Sequence, residues 1–114
     1  MSTTPGPSDA TVDRCLRLGH GFHESERPKV VDGLARLDHH LVGQPAEAVH
    51  VDLQVKERDS NSQKLTAEVH VAGLPTLVAT AKDPDVWGAV AHARDELIRQ
   101  FEDVRSRREP HHRS

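Results

Sequence analysis

The run V-H-V-D-L-Q-V-K, residues 49–56, alternates without interruption: Val49, Val51, Leu53 and Val55 on one side, His50, Asp52, Gln54 and Lys56 on the other. Side chains of a strand alternate between faces with a period of two, so this run specifies a strand with one dry face and one wet face. A second alternation follows, with Leu65, Ala67, Val69 and Val71 inward and Thr66, Glu68 and His70 outward. The segment between them, E-R-D-S-N-S-Q (57–63), holds turn residues and no apolar side chain. Gly73 to Pro75 turns the chain again, and residues 76–82 make a third strand. Short one-faced strands joined by turns form an antiparallel meander whose dry face needs a cover.

Two amphipathic helices supply it. In the first, Ser25 is the expected N-cap, Glu26 lies in the first turn, and Pro28 sits where helix N–H groups have no intrahelical partner. Val30, Leu34, Leu37 and Leu41 then form one stripe, ended by Gly43 and Pro45. The second starts at Asp83-Pro84-Asp85 and runs to about Ser106, with Val86, Val90, Ala93, Leu97, Phe101 and Val104 as its core stripe and Trp87 and Ile98 on one flank. Upstream, V-D-R-C-L-R-L from Val12 to Leu18 reads as a strand, with Val12, Leu16 and Leu18 of one parity. The order is β-α-β-β-β-α, an α+β domain in which a four-stranded sheet carries two helices packed on one face. At 114 residues the chain has room for one core. The expected organisation is a disordered arm over 1–10, the domain over 11–106 and a flexible basic tail over 107–114.

Several chemistries lack their residues. The single Cys15 excludes an intramolecular disulfide and any cysteine-based zinc site. No run approaches the roughly 20 apolar residues that span a bilayer, and the first residues do not read as a secretory signal, so the expected location is the cytoplasm. There is no glycine-rich phosphate loop, no G-x-S-x-G and no H-E-x-x-H. His92, Asp95 and Glu96 lie within one helical turn and read as a solvated face, so catalysis is not expected. The nine histidines include adjacent pairs, His39-His40 and His111-His112; adjacent residues on a helix diverge, so His39 and His40 do not converge on one ion. Neither a cofactor nor a metal is expected.

Polyanion binding is the class left open. The net charge of −3 excludes a globally basic nucleic-acid binder, and Phe22, Trp87 and Phe101 are too few aromatics to stack several splayed bases. Local basic patches remain. On the first helix Lys29 and Arg36 lie at i and i+7 beside the apolar stripe. On the second, Arg94 falls inside the apolar arc and lays its stem across the core edge, with Arg105 near the same azimuth and Arg99 on the exposed side. Arg105, Arg107, Arg108 and Arg113 make the tail basic. Guanidinium groups fork onto phosphates, and equally complement a helix C-terminus; the residues alone support both readings. Protonating all nine histidines would move the net charge from −3 to +6, and charging of His39 and its neighbours is expected to tighten polyanion binding below about pH 6.5.

Three segments stand in register on these elements: Leu34-Ala35-Arg36-Leu37-Asp38, Asp85-Val86-Trp87-Gly88-Ala89-Val90 and Leu97-Ile98-Arg99-Gln100-Phe101. In turn they resemble the first-helix motif L/F-A-K-L-E, the D-M-Y-x-A-I segment and the L-x-R-Q-L segment of the ribosome hibernation-promoting factor family, also called protein Y or ribosome-associated inhibitor A. The resemblance spans residues 12–108. It implies a fold akin to double-stranded-RNA-binding domains and a role as a stress-related translation inhibitor, lodged where mRNA and tRNA lie in the small ribosomal subunit. It implies no catalysis, and neither DNA nor a membrane as partner. The candidate contacts to ribosomal RNA are Lys29, Arg36, His39, Arg94, Arg99, Arg105, Arg107 and Arg108, with Arg36 and Arg99 matching basic positions of the motifs. Departures are His39 and Glu96 where the family carries lysine, and Glu102 and Asp103 in a basic stretch. They define the alternative: a diverged paralogue that keeps the fold and acts as a protein-interaction or regulatory module without ribosome binding, with a homodimer through a sheet edge or the polar face as one form of it.

Overall fold

A computed structural model describes residues 11–41 and 46–107. A short helix α1 (Thr11–Cys15) leads into strand β1 (Leu16–Leu18). Helices α2 (Arg27–Gly33) and α3 (Ala35–Leu41) follow, then strands β2 (Val49–Lys56), β3 (Lys64–Val71) and β4 (Leu77–Ala81), and finally helix α4 (Val86–Arg107). The sheet order is β1-β2-β3-β4, with β1 parallel to β2 and the other pairs antiparallel. This is the α+β architecture read from the alternation: Val49, Val51, Leu53, Val55, Leu65, Ala67, Val69, Val71, Leu77, Ala79 and Ala81 are all buried beneath the helices. Val86, Ala89, Val90, Ala93, Leu97 and Phe101 of α4 close over them, with Trp87, Ile98 and Val104 half-buried at the margin.

The second helix begins as its sequence indicates. Asp85 Oδ1 accepts from the Trp87 N–H at 3.3 Å, and Asp83 Oδ1 accepts from the Asp85 N–H at 2.9 Å. The connection between β2 and β3 is less open than its composition suggests, because Gln63 is buried. Its amide oxygen accepts from Asp59 N–H at 2.8 Å, and its Nε2 donates to the Asp83 and Pro84 carbonyls at 2.7 and 3.2 Å. Burying an amide unpaired costs about 1–3 kcal/mol, so these bonds convert an expense into a clamp between the loop and the entry to α4.

Two expectations are corrected. Residues 12–18 are not one strand: Thr11–Cys15 is helical and only Leu16–Leu18 pairs with β2. Asp38 Oδ1 accepts from the Val12 N–H at 2.8 Å, satisfying a donor in the first turn of α1 from a residue far along the chain. Val12 and Leu16 are buried as an i, i+4 pair, a spacing that serves a helical turn as well as a strand parity.

The first helix is also not continuous. A short 3-10 turn over Glu24–Glu26 precedes it, with His23 in place of Ser25 at the cap; the His23 N–H donates to Glu26 Oε1 at 3.0 Å. The helix then breaks at Leu34, between α2 and α3. Arg94 of α4 donates to the Gly33 carbonyl at 3.2 Å, and the Leu37 N–H bonds the Leu34 carbonyl at 2.9 Å, an i→i+3 link in place of the α-helical one to Gly33. A Cβ at position 33 would lie 3.2 Å from Val90 Cγ1, so glycine lets α2 and α4 pack closely at the break. The apolar stripe survives, with Val30, Leu34, Leu37 and Leu41 all buried. The expected stops Gly43 and Pro45 lie outside the described residues, as do the expected arm over 1–10 and the tail beyond residue 107.

Candidate nucleic-acid interface

Helices α3 and α4 lie side by side and leave a shallow groove lined by Arg36, His39, His40, Asp95, Ile98, Arg99 and Glu102. Arg36 and His39 reach it from α3, both exposed, and Arg99 from α4, with 73% of its side chain open to solvent. Three of the eight candidate contacts therefore converge on one surface. Carboxylates run through it: Arg99 is ion-paired with Glu96, one helical turn back. The Arg99 and Gln100 side chains hold the Glu96 carboxyl below its ordinary range, the Gln100 hydrogen bond being the larger influence. Asp95 is likewise lowered, first by the hydrogen bond from Arg94 and, more weakly, by the charge of Arg36.

The remaining candidates are dispersed. Arg94 has an 18% exposed side chain and is spent on the fold, with Nε 2.9 Å from Asp95 Oδ1 and Nη1 on the Gly33 carbonyl. Lys29 stands over the Trp87 ring, Nζ 4.6 Å from its centroid, away from the groove. Arg105 is exposed near the end of α4, and Arg107 is ion-paired with Asp103. Arg108 lies outside the described residues. His40 gains its low-pH charge less readily than an ordinary imidazole. Its ring stacks on Phe101, centroids 5.7 Å apart and planes at 16°, and burial, reinforced by the charge of Arg105, pushes its pKa down.

Sequence reasoning missed the cations that hold the molecule together. Arg58, in the loop after β2, donates to both oxygens of Glu26 at 2.8 and 2.7 Å and to the Gly21 carbonyl at 2.8 Å, with its guanidinium 5.4 Å from the Phe22 ring and 5.9 Å from the Trp87 ring. This bidentate bond, with the His23 N–H, lowers the Glu26 pKa to about 2. Gly21 has φ +89° and a Cβ there would meet the Val55 carbonyl oxygen at 2.2 Å, so the loop can lie against β2 and offer its carbonyl only as glycine. Arg27 donates to the Asp13 and Leu16 carbonyls at 3.0 and 2.7 Å and to Glu24 at 2.7 Å, fastening α2 to the first strand. The turn composition of 57–63 marked a loop; nothing in it marked Arg58 as that loop's anchor.

The His92 cluster is a surface feature. His92 Nδ1 lies 3.6 Å from Asp83 Oδ2, in an open groove between β4 and α4 lined by Val78, Thr80, Asp95, Glu96 and Arg99. Cys15 is half-buried, and burial raises its thiol pKa, away from nucleophilic character.

The sequence matches no protein-family model and no curated protein. Solved structures do match. The N-terminal domain of Thermus thermophilus protein Y superposes with a TM-score of 0.59 at 21% identity, covering 77% of this chain and 92% of that one. A ribosomal subunit interface protein from Coxiella burnetii superposes with a TM-score of 0.55 at 14% identity, covering 80% of this chain and 97% of that one. The chain has the protein Y fold. Its sheet and helices are thus shared with these two proteins, at identities where the backbone is common and most side chains are not.

Proposed function

We propose that this protein is a ribosome-associated factor of the hibernation type, binding ribosomal RNA of the small subunit through the α3–α4 groove. The observation that carries the reading is the convergence of Arg36, His39 and Arg99 on one exposed surface of a protein Y fold. Two guanidinium groups on rigid helices suit phosphate oxygens, and a plug in an RNA-walled channel needs phosphate contacts rather than base readout. Arg105, whose charge reaches the groove residue His40, extends the footprint, and Arg94 serves it indirectly through its bond to the Gly33 carbonyl at the break between α2 and α3. The role is stoichiometric binding in the cytoplasm, with translation held off while the channel is occupied.

A second reading has its own observation. Arg94, Arg99 and Arg107 each face a carboxylate of their own helix, Asp95, Glu96 and Asp103. A surface neutralised in this way suits a protein partner, or a second copy at a sheet edge, better than a polyanion. Co-sedimentation with purified small ribosomal subunits at low and high salt separates the two. The hibernation reading expects binding at low salt that falls steeply as salt rises, and a loss of about 100-fold in Arg36→Glu/Arg99→Glu, taking about 1.5 kcal/mol for each charged hydrogen bond removed. Absence of binding at low salt gives the protein-partner reading.

A further inference from the structure

The sheet face that the helices leave open carries a separate cluster of side chains. Asp52 of β2 stands directly across from Glu68 of β3, and His70 lies two residues along β3 on the same face. Carboxylates directly opposite one another repel, and here the His70 ring is set between them. Its Nε2 lies 3.3 Å from Glu68 Oε1 and 3.9 Å from Asp52 Oδ2, while its Nδ1 lies 3.2 Å from Thr76 Oγ1. Arg17 of β1 approaches the other Asp52 oxygen, Oδ1, at 3.8 Å, leaving Oδ2 toward the ring. One ligand atom from each of Asp52, Glu68 and His70 falls within 4.8 Å of the other two.

In the tautomer that donates Nδ1–H to Thr76, Nε2 turns a lone pair toward two carboxylate oxygens. Three electron-pair donors facing one another are a site for a shared cation. One imidazole nitrogen with two carboxylates suits a borderline divalent transition metal such as zinc, whereas calcium and magnesium favour all-oxygen sets. Zinc bonds of roughly 2.1 Å in a tetrahedron separate ligand atoms by about 3.4 Å, within reach of small rotations of the half-exposed carboxylates. An oxygen partner on the remote ring nitrogen, here Thr76, is the usual companion of a metal-bound histidine. His50, exposed and paired across the strands with His70, stands beside the cluster as a candidate fourth ligand.

We propose that Asp52, Glu68 and His70, with the ring held by Thr76, form a zinc-class divalent-metal site on the open face of the sheet. This inference is independent of ribosome binding, since it uses none of the groove residues. Calorimetric titration of the full chain with Zn²⁺ tests it, comparing wild type with His70→Ala, Glu68→Gln and two control double variants, His39→Gln/His40→Gln and His111→Gln/His112→Gln. The expected result is one saturable site, weakened by about tenfold or more in His70→Ala and Glu68→Gln and unchanged in both controls. Circular dichroism checks that the sheet is intact; should His70→Ala not fold, Glu68→Gln decides. A wild type with no saturable site, affinity within twofold of wild type in Glu68→Gln, or loss of the site in either control overturns the proposal.

Discussion

Arg58 and Arg36 carry the same side chain to opposite ends. Arg58 is inserted between a loop and a helix start, with about a fifth of its surface open and three strong acceptors in reach. Arg27 works similarly at the join of α1, β1 and α2. Arg36 stands exposed on α3, and Arg99 leans on Glu96 at the surface. A guanidinium whose terminal nitrogens are taken by a backbone carbonyl and a bidentate carboxylate, and whose Nε is buried, has little left for a phosphate, whereas an exposed one can release a weak surface partner for a stronger anion. The 15 Lys+Arg of the sequence therefore overstate the positive charge available to a ligand.

The contrast breaks first, and most severely, at the clamp. Arg58→Ala removes charge-assisted bonds at a largely covered site and is expected to lower stability by roughly 2 kcal/mol, seen as a melting-temperature drop on the order of 10 °C. Arg36→Ala, on open helix surface, is expected to stay within about 0.5 kcal/mol of wild type in the same melt. Equal losses from the two would erase the distinction.

A smaller effect lies in the acid limb of stability. Glu26 titrates near 4.5 when unfolded and at about 2 when folded, so its contribution is complete above pH 4.5 and drains away as pH falls toward 2. Glu26→Gln keeps an acceptor for Arg58 but not the charge. It is expected to be less stable at neutral pH and to show a flatter loss of stability between pH 4.5 and 2, read from denaturant midpoints across that range. A slope equal to that of wild type would mean that the pair contributes nothing.

The smallest effect sharpens the other side of the comparison. Glu96→Gln frees Arg99 from its helical neighbour while leaving the fold untouched, because the pair lies on the open surface of α4. Ribosomal-subunit affinity is expected to rise by a few-fold at low salt; a fall would show that Glu96 itself makes the contact.

Legibility in the sequence followed the range of the interactions involved. The three strands after residue 48 and the stripe of α4 were readable because burial of alternate or every third-to-fourth side chain leaves a local period, and Asp85 caps its helix through an atom two residues away. The candidate groove was half readable: Arg36, His39 and Arg99 are visible as exposed helix positions, but the sequence could not say that Arg94 had been taken by Gly33. The site at Asp52, Glu68 and His70 was not readable, since it depends on the register that sets Asp52 opposite Glu68.

The sequence by itself determined the α+β class, the dry face of the sheet and the stripes that cover it, because those depend on hydrophobic period alone. Tertiary structure decided where the first helix breaks, that residues 11–15 coil rather than extend, and which cations are spent and which are free. Each of those outcomes hangs on a hydrogen bond between distant parts of the chain: Asp38 to Val12, Arg94 to Gly33, Arg58 to Glu26. Such bonds form only once the core has brought their partners together, and so they leave no periodic trace in the order of residues.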